Sequence, residues 1–158
     1  MQTSIAIPHA IAGAAHKTTA AWNATELGIA LLRVSLGVMF LAHSVVLKLL
    51  TYGLPGTAQF FVSLGLPAWF AYAAFFAEAI GGALLVLGVH SRYVALLLAP
   101  ILIGALAVHS GNGWVFTAPN GGWEYPAYLL ALCIVQALLG DGALALAPSQ
   151  QMAKLARA

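Results

Sequence analysis

The stretch LGIALLRVSLGVMFLAHSVVLKL, residues 27–49, decides the fold of this chain. It is apolar over almost its whole length and carries two charged residues, Arg33 and Lys48. A helix needs about 20 mostly apolar residues to cross the hydrocarbon layer of a bilayer. The stretch therefore predicts a transmembrane helix.

The composition of the whole chain indicates the same environment. Of its 158 residues, 62% are apolar and 6% are charged, and the mean hydropathy is +0.94. About a quarter of the residues of a soluble domain are charged, so six basic and four acidic side chains cannot cover a water-soluble surface. The composition excludes a disordered chain and a nucleic-acid-binding protein, since both need more charge. The lipid bilayer is the predicted partner of most of the surface.

Further apolar runs predict three more membrane spans. Backbone polar groups must be satisfied inside lipid, so these runs are expected to be helices. The predicted spans are residues 27–49, 68–89, 93–108 and 125–139, and an extension of the last toward Leu146 is left open. Asn23 and Glu26 have the spacing of a capping box, which predicts a helix start near Ala24.

The connection over residues 50–67 contains Pro55-Gly56 and Gly65-Leu66-Pro67 around a short amphipathic run. It is predicted to form a turn, a short interfacial helix and a second turn. The predicted fold is an all-α integral membrane four-helix bundle with a short interfacial helix between spans one and two. The chain then divides into an N-terminal cytoplasmic or interfacial segment, the membrane domain and a short basic cytoplasmic tail, at residues 1–26, 27–148 and 149–158.

Basic residues in the short flanks predict the orientation, because cytoplasmic flanks carry an excess of Lys and Arg. With four spans, both termini lie on one side of the membrane. That side would hold Lys17, Arg92, Lys154 and Arg157, whereas the other would hold Lys48. Both termini are therefore predicted to be cytoplasmic.

Three charged residues, Arg33, Lys48 and Glu78, lie within predicted spans, where charge is costly and usually faces the bundle interior. Glu78 is near the middle of span two, next to Gly81 and Gly82, and small residues let a second helix approach closely. Glu78 could be protonated and hydrogen-bonded, ion-paired with Arg33, or part of a proton or ligand path. An ion pair with Arg33 would fix helix register without chemistry. A hydrogen bond between Glu78 and Gln136 is also expected.

Polar residues at the other end of the bundle form a second candidate site. His43 and His109 fall at similar depths, and Glu124 and Tyr125 begin span four at that level. Trp114, in the preceding loop, is expected at headgroup level. Imidazole with carboxylate could bind a metal, or hold a quinone carbonyl and pass protons. Interfacial hydrogen bonding is the structural alternative, and since the spacing matches no metal motif, no metal site is predicted.

Absent motifs limit the chemistry. Cys133 is the single cysteine, so an intramolecular disulfide and a dithiol redox centre within the chain are excluded. No recognisable motif binds a flavin, a haem or a nicotinamide, so electrons would have to come from a partner chain.

Several sequence blocks, in this order and spacing, resemble the DoxX family. They are Leu32 to Ser44 followed by Lys48, Gly56 to Phe61, Ala77 to Gly82, His109 to Trp114, and Gly121 to Pro126. The resemblance covers about residues 27–148. It implies a four-helix protein of the bacterial inner membrane that acts within a redox complex, together with partner subunits.

Three functions remain open on this basis. The first is a quinone-linked oxidoreductase subunit, in which Glu78, Arg33 and His43 carry proton chemistry. The quinone would then contact a second group of residues, namely His109, Glu124, Tyr125 and Trp114. The second function is a non-catalytic anchor or assembly subunit for a redox partner. The third is a small-molecule or metal transporter, which with four spans per chain would require a homo-oligomer.

Overall fold

The computed structural model describes residues 22–149, so the predictions for the N-terminal segment before residue 22 and for the tail after residue 149 lie outside the described residues. The described chain is helical. Helix α1 (Ala24–Leu41) continues directly into a π-helix (Ala42–Thr51), and α2 is Gly53–Ser63. Helices α3 (Trp69–Leu87) and α4 (Ser91–His109) follow, then a 3-10 turn (Ser110–Asn112) and α5 (Glu124–Leu139).

The predicted helical membrane fold is confirmed. Within residues 22–149, three helices are long and apolar enough to cross a bilayer: Ala24–Thr51, Trp69–Leu87 and Ser91–Asn112. Helix α5 is apolar but shorter, with 16 residues. Helix α2 falls where the short helix between spans one and two was predicted.

Helix α1 begins at Ala24, as the capping-box spacing of Asn23 and Glu26 predicts. The Glu26 backbone N–H donates to Asn23 Oδ1 at 2.9 Å, and the Asn23 N–H donates to Glu26 Oε2 at 3.1 Å. These reciprocal bonds satisfy donors that the first helical turn cannot satisfy itself. The predicted capping box is thus confirmed.

The helices pack in antiparallel order, with α1 along α3 and α4 along α5. The central core is apolar and includes Cys133, and its other members are Leu36, Phe40, Leu85, Val94, Ala95, Leu98, Leu102 and Leu129. Apolar burial gains little for helices surrounded by lipid, so close packing must hold them together. Gly37 and Gly82 provide it: a Cβ on Gly37 would lie 2.7 Å from the Gly82 carbonyl oxygen.

Residues 140–149, the C-terminal loop, fold back under the bundle. The helix stops at Leu139 and does not extend toward Leu146, because Gly140 adopts φ +98°, which breaks helical geometry. The loop then pairs with the α3–α4 turn: the His90 N–H donates to the Ala147 carbonyl at 2.8 Å.

Candidate functional site

An open pocket lies where the loop before α5 meets the start of that helix. Its lining is almost wholly apolar, its volume is about 490 Å³, and it is formed by Trp114, Phe116, Glu124, Tyr125, Ala127 and Tyr128. We call this the aromatic pocket. It contains three of the predicted site residues, Trp114, Glu124 and Tyr125, and its size and apolar character suit a small organic molecule.

Glu124 is the acidic residue of the aromatic pocket. Its Oε1 accepts a hydrogen bond from the Phe116 backbone N–H at 2.8 Å, and the Glu124 N–H donates to the Trp114 carbonyl at 3.0 Å. Trp114 packs edge-on against Trp123, with ring centroids 4.4 Å apart. These contacts fix the pocket wall to the first turn of α5.

Tyr125 links the aromatic pocket to the first helix. Its ring stacks on His43 with centroids 5.9 Å apart and an interplanar angle of 23°. Its hydroxyl donates to Met39 Sδ at 3.4 Å. His43 therefore lies behind Tyr125 rather than in the pocket wall.

The hydrogen bonds of the two histidines define their neutral tautomers. His43 Nδ1 lies 2.8 Å from the Met39 carbonyl oxygen, and His109 Nδ1 lies 3.0 Å from that of Gly121. A carbonyl oxygen can accept but cannot donate, so the proton of each neutral ring is on Nδ1. Nε2 is then the basic nitrogen. His109 braces the 109–121 loop and, like His43, does not line the aromatic pocket.

Glu78 is buried as predicted, with 5% of its surface exposed, but its partner is Lys48. Lys48 Nζ donates to Glu78 Oε2 at 2.6 Å. The ion pair with Arg33, one of the three alternatives for Glu78, does not form, because Arg33 lies about four helical turns before Lys48 and binds the C-terminal loop. The π-helix holds Lys48 over α3, and Thr57 of α2 donates to the Lys48 carbonyl at 3.2 Å.

Arg33 is 1% exposed and is held by the C-terminal loop. Its Nη1 donates to the Asp141 carbonyl at 2.6 Å, and its Nη2 donates to the Ala143 carbonyl at 3.1 Å. The guanidinium thus closes the loop onto α1. Nothing in these contacts joins Arg33 to Glu78 or to the aromatic pocket.

Asp141 organises the same end of the bundle, and the sequence analysis missed it. Its Oδ1 accepts from the Ser91 N–H at the start of α4, and its Oδ2 accepts from the Ser149 N–H, both at 2.8 Å. Arg92 donates to the Ala137 carbonyl at 2.8 Å, which satisfies the end of α5. The signal available was Gly140-Asp141-Gly142, a helix-stopping sequence around a single acid.

The expected hydrogen bond between Gln136 and Glu78 is also wrong. Gln136 Nε2 donates instead to the Gly140 carbonyl at 2.5 Å. Within residues 22–149, no group of three or more His, Cys, Asp or Glu side chains could hold a metal ion.

Fold and site together define a small helical membrane protein. One end is closed by the polar contacts of Arg33 and Asp141 with the C-terminal loop, and the aromatic pocket lies at the other end. The DoxX family model matches residues 28–111, and the chain belongs to the DoxX family. The Bacillus subtilis (strain 168) protein named "Putative oxidoreductase CatD" is 40% identical over 124 residues, which are 78% of this chain and 87% of that protein. No solved structure matches the chain.

Proposed function

We propose that this chain is a membrane subunit of a quinone-linked oxidoreductase complex in the bacterial inner membrane, and that the aromatic pocket binds the quinone ring. The observation that carries the proposal is the pocket itself, with a volume of about 490 Å³ and four aromatic side chains in its wall. Flat aromatic rings favour offset stacking and edge contacts with another flat ring. The name of the Bacillus relative supports redox chemistry as the broader class.

The groups around the aromatic pocket suit a molecule that gains or loses protons with its electrons. Glu124 lines the pocket, and Tyr125, which also lines it, stacks on the ring of His43, whose Nδ1 donates to the Met39 carbonyl. The Glu124 carboxylate can accept a proton from a quinol hydroxyl in the pocket. Electrons come from a partner chain in this proposal.

Binding of a soluble quinone tests the proposal directly. The purified full chain in lipid nanodiscs is titrated with ubiquinone-1, and quenching of tryptophan fluorescence is recorded. We expect saturable quenching, and we expect Tyr125→Ala to weaken the apparent affinity by about tenfold, the equivalent of one lost aromatic contact. Tyr72→Ala is the matched control, because Tyr72 is exposed on α3 and does not line the pocket.

Quenching that rises linearly with quinone concentration would mean simple partitioning into lipid and would refute the proposed site. Equal affinities in Tyr125→Ala and Tyr72→Ala would place binding elsewhere. Both variants must keep the elution profile and melting temperature of the unmodified chain for the comparison to count.

A non-catalytic anchor is the second candidate, and one observation favours it. Trp114, Val115 and Phe116 are each at least half exposed, which gives the loop before α5 an apolar edge outside the helices. Such an edge could dock a redox partner. The anchor role is supported if Trp114→Ala abolishes recovery of a partner from native membranes and the unmodified chain shows no saturable binding of ubiquinone-1.

A further inference from the structure

We propose that at least one internal water molecule is bound between α1, α4, α5 and the C-terminal loop, at a site built by Arg33, Ser91 and Gln136. Within the described part of the chain, three buried side-chain atoms have no hydrogen-bond partner: Arg33 Nε, Ser91 Oγ and Gln136 Oε1. All three residues are 0 to 1% exposed. A buried polar group without a partner is costly, and ordered water is its usual remedy.

The three atoms belong to one place in the fold. Each residue uses another of its own atoms to bind Gly140 or Asp141: Arg33 through Nη1, Ser91 through its backbone N–H and Gln136 through Nε2. The unpartnered atoms are two or three covalent bonds away from those anchored atoms. They therefore lie close to the Gly140–Asp141 segment, on three different helices.

Hydrogen-bonding capacity selects the ligand. Arg33 Nε can donate but cannot accept, and Ser91 Oγ can do both. Gln136 Oε1 can accept but cannot donate, and its assignment is fixed because Nε2 faces the Gly140 carbonyl, which needs a donor. The ligand must therefore accept from one side and donate to the other.

Charge excludes the simple ions. Arg33 binds the Asp141 carbonyl, and Arg92 lies against Gly140, where an added Cβ would be 2.7 Å from Arg92 Nη2. Because two guanidinium groups lie at this site, a cation would be repelled. A halide cannot donate to Gln136 Oε1 and would also face the Asp141 carboxylate. Water can both accept and donate, so it satisfies all three groups. In this proposal the bound water exchanges with the bulk and so relays magnetisation to the buried guanidinium.

Solid-state NMR of the full chain in bilayers tests the site. The chain is labelled with 15N-arginine and 15N-cysteine, and polarisation transfer from water protons to each nitrogen is followed over time. The arginines are Arg33, Arg92 and Arg157, and Arg157→Lys removes one set of signals. Cys133 is the single cysteine, and its amide in the dry core is the internal reference.

We expect the Arg33 Nε–H signal to build up severalfold faster than the Cys133 amide. The double variant Ser91→Ala with Gln136→Leu should slow it to the rate of the Cys133 amide. Ser44→Ala, which removes a buried hydroxyl toward the other end of the bundle, should leave it unchanged. An Arg33 signal as slow as that of Cys133 in the unmodified chain would overturn the proposal, as would an unchanged rate in the double variant. If the double variant does not fold, the comparison within the unmodified chain still decides.

Discussion

The buried pair Lys48–Glu78 shows how far reasoning from single residues can reach. The sequence predicts that Glu78 turns inward, since a carboxylate in lipid is costly and glycines flank it. Its partner could not be predicted, because the axial offset between α1 and α3 depends on the Gly37–Gly82 contact and on the π-helix that carries Lys48. Arg33 and Lys48 lie on one continuous helical span, and either could be the partner of Glu78 until that offset is known.

The two members of this pair should differ in their response to neutralisation. Lys48→Met leaves Glu78 buried without a cation and should lower the free energy of unfolding by about 3 kcal/mol. Glu78→Gln should cost less, because the Lys48 side chain is 17% exposed and can turn outward. The double variant should be more stable than Lys48→Met alone. Thermal unfolding in one detergent measures all three, with the neighbouring Leu49→Met as the control. A double variant less stable than Lys48→Met would contradict a buried, mutually dependent pair.

At the scale of the element, apolar length predicted the helices well and local geometry poorly. Runs of apolar residues place helix ends close to their observed positions because lipid leaves the backbone no other way to satisfy its polar groups. The π-helix over residues 42–51 could not be predicted, since its form depends on tertiary contacts such as Lys48 with Glu78 and Thr57 with the Lys48 carbonyl. No composition signal distinguishes that stretch from ordinary helix.

Close backbone contact between α1 and α3 should make one glycine intolerant of a single methyl group. A Cβ on Gly82 would lie 2.8 Å from the Gly37 carbonyl oxygen, and backbone cannot move aside as a side chain can. Gly82→Ala should therefore destabilise the fold by about 1–3 kcal/mol. Gly104→Ala, where no atom lies within 4 Å of the added carbon, should be neutral or stabilising by up to about 1 kcal/mol. Melting temperatures of the two variants check the prediction, which fails if Gly82→Ala is as stable as Gly104→Ala.

For the whole molecule, the C-terminal loop closes one end of the bundle, and the sequence did not reveal this. The composition of residues 140–146 fits both a helical extension to Leu146 and a loop that turns back at Gly140, and long-range contacts decide between the two. Asp141 provides them by joining the start of α4 to Ser149, while Arg33 holds the loop carbonyls. The aromatic pocket likewise required loop geometry, although Trp114, Glu124 and Tyr125 were predicted as site residues.

Removal of the Asp141 carboxylate should release the C-terminal loop without unfolding the helices. Asp141→Ala leaves the buried Ser91 N–H without its acceptor, at a cost of about 1–3 kcal/mol. The amides of Leu146 and Ala147, which donate to the Leu87 and Gly88 carbonyls, should then exchange hydrogen for deuterium faster. Mass spectrometry of the exchanged chain measures this. Asn23→Ala, which removes a cap on α1, is the control, and equal loop protection in Asp141→Ala would show that Asp141 does not hold the loop.

The orientation of the molecule determines which side of the membrane the aromatic pocket serves, and basic residues predict it. Arg92 lies at the loop-closed end, and the four-span topology predicted from the sequence assigns Lys17, Lys154 and Arg157 to the same side of the membrane. This end should therefore be cytoplasmic, and the aromatic pocket should face outward. Cysteine labelling tests this on a Cys133→Ala background, because Cys133 is the single cysteine and is buried. In intact spheroplasts, Asn120→Cys should react with a membrane-impermeant maleimide, whereas Thr25→Cys should react after permeabilisation. Both positions are exposed, so differences in local access do not decide the result.

Reaction of Thr25→Cys before permeabilisation, with Asn120→Cys protected, would show that the topology is the reverse of the predicted one. The aromatic pocket would then open toward the cytoplasm, and the partner of the proposed oxidoreductase complex would have to reach the pocket from that side.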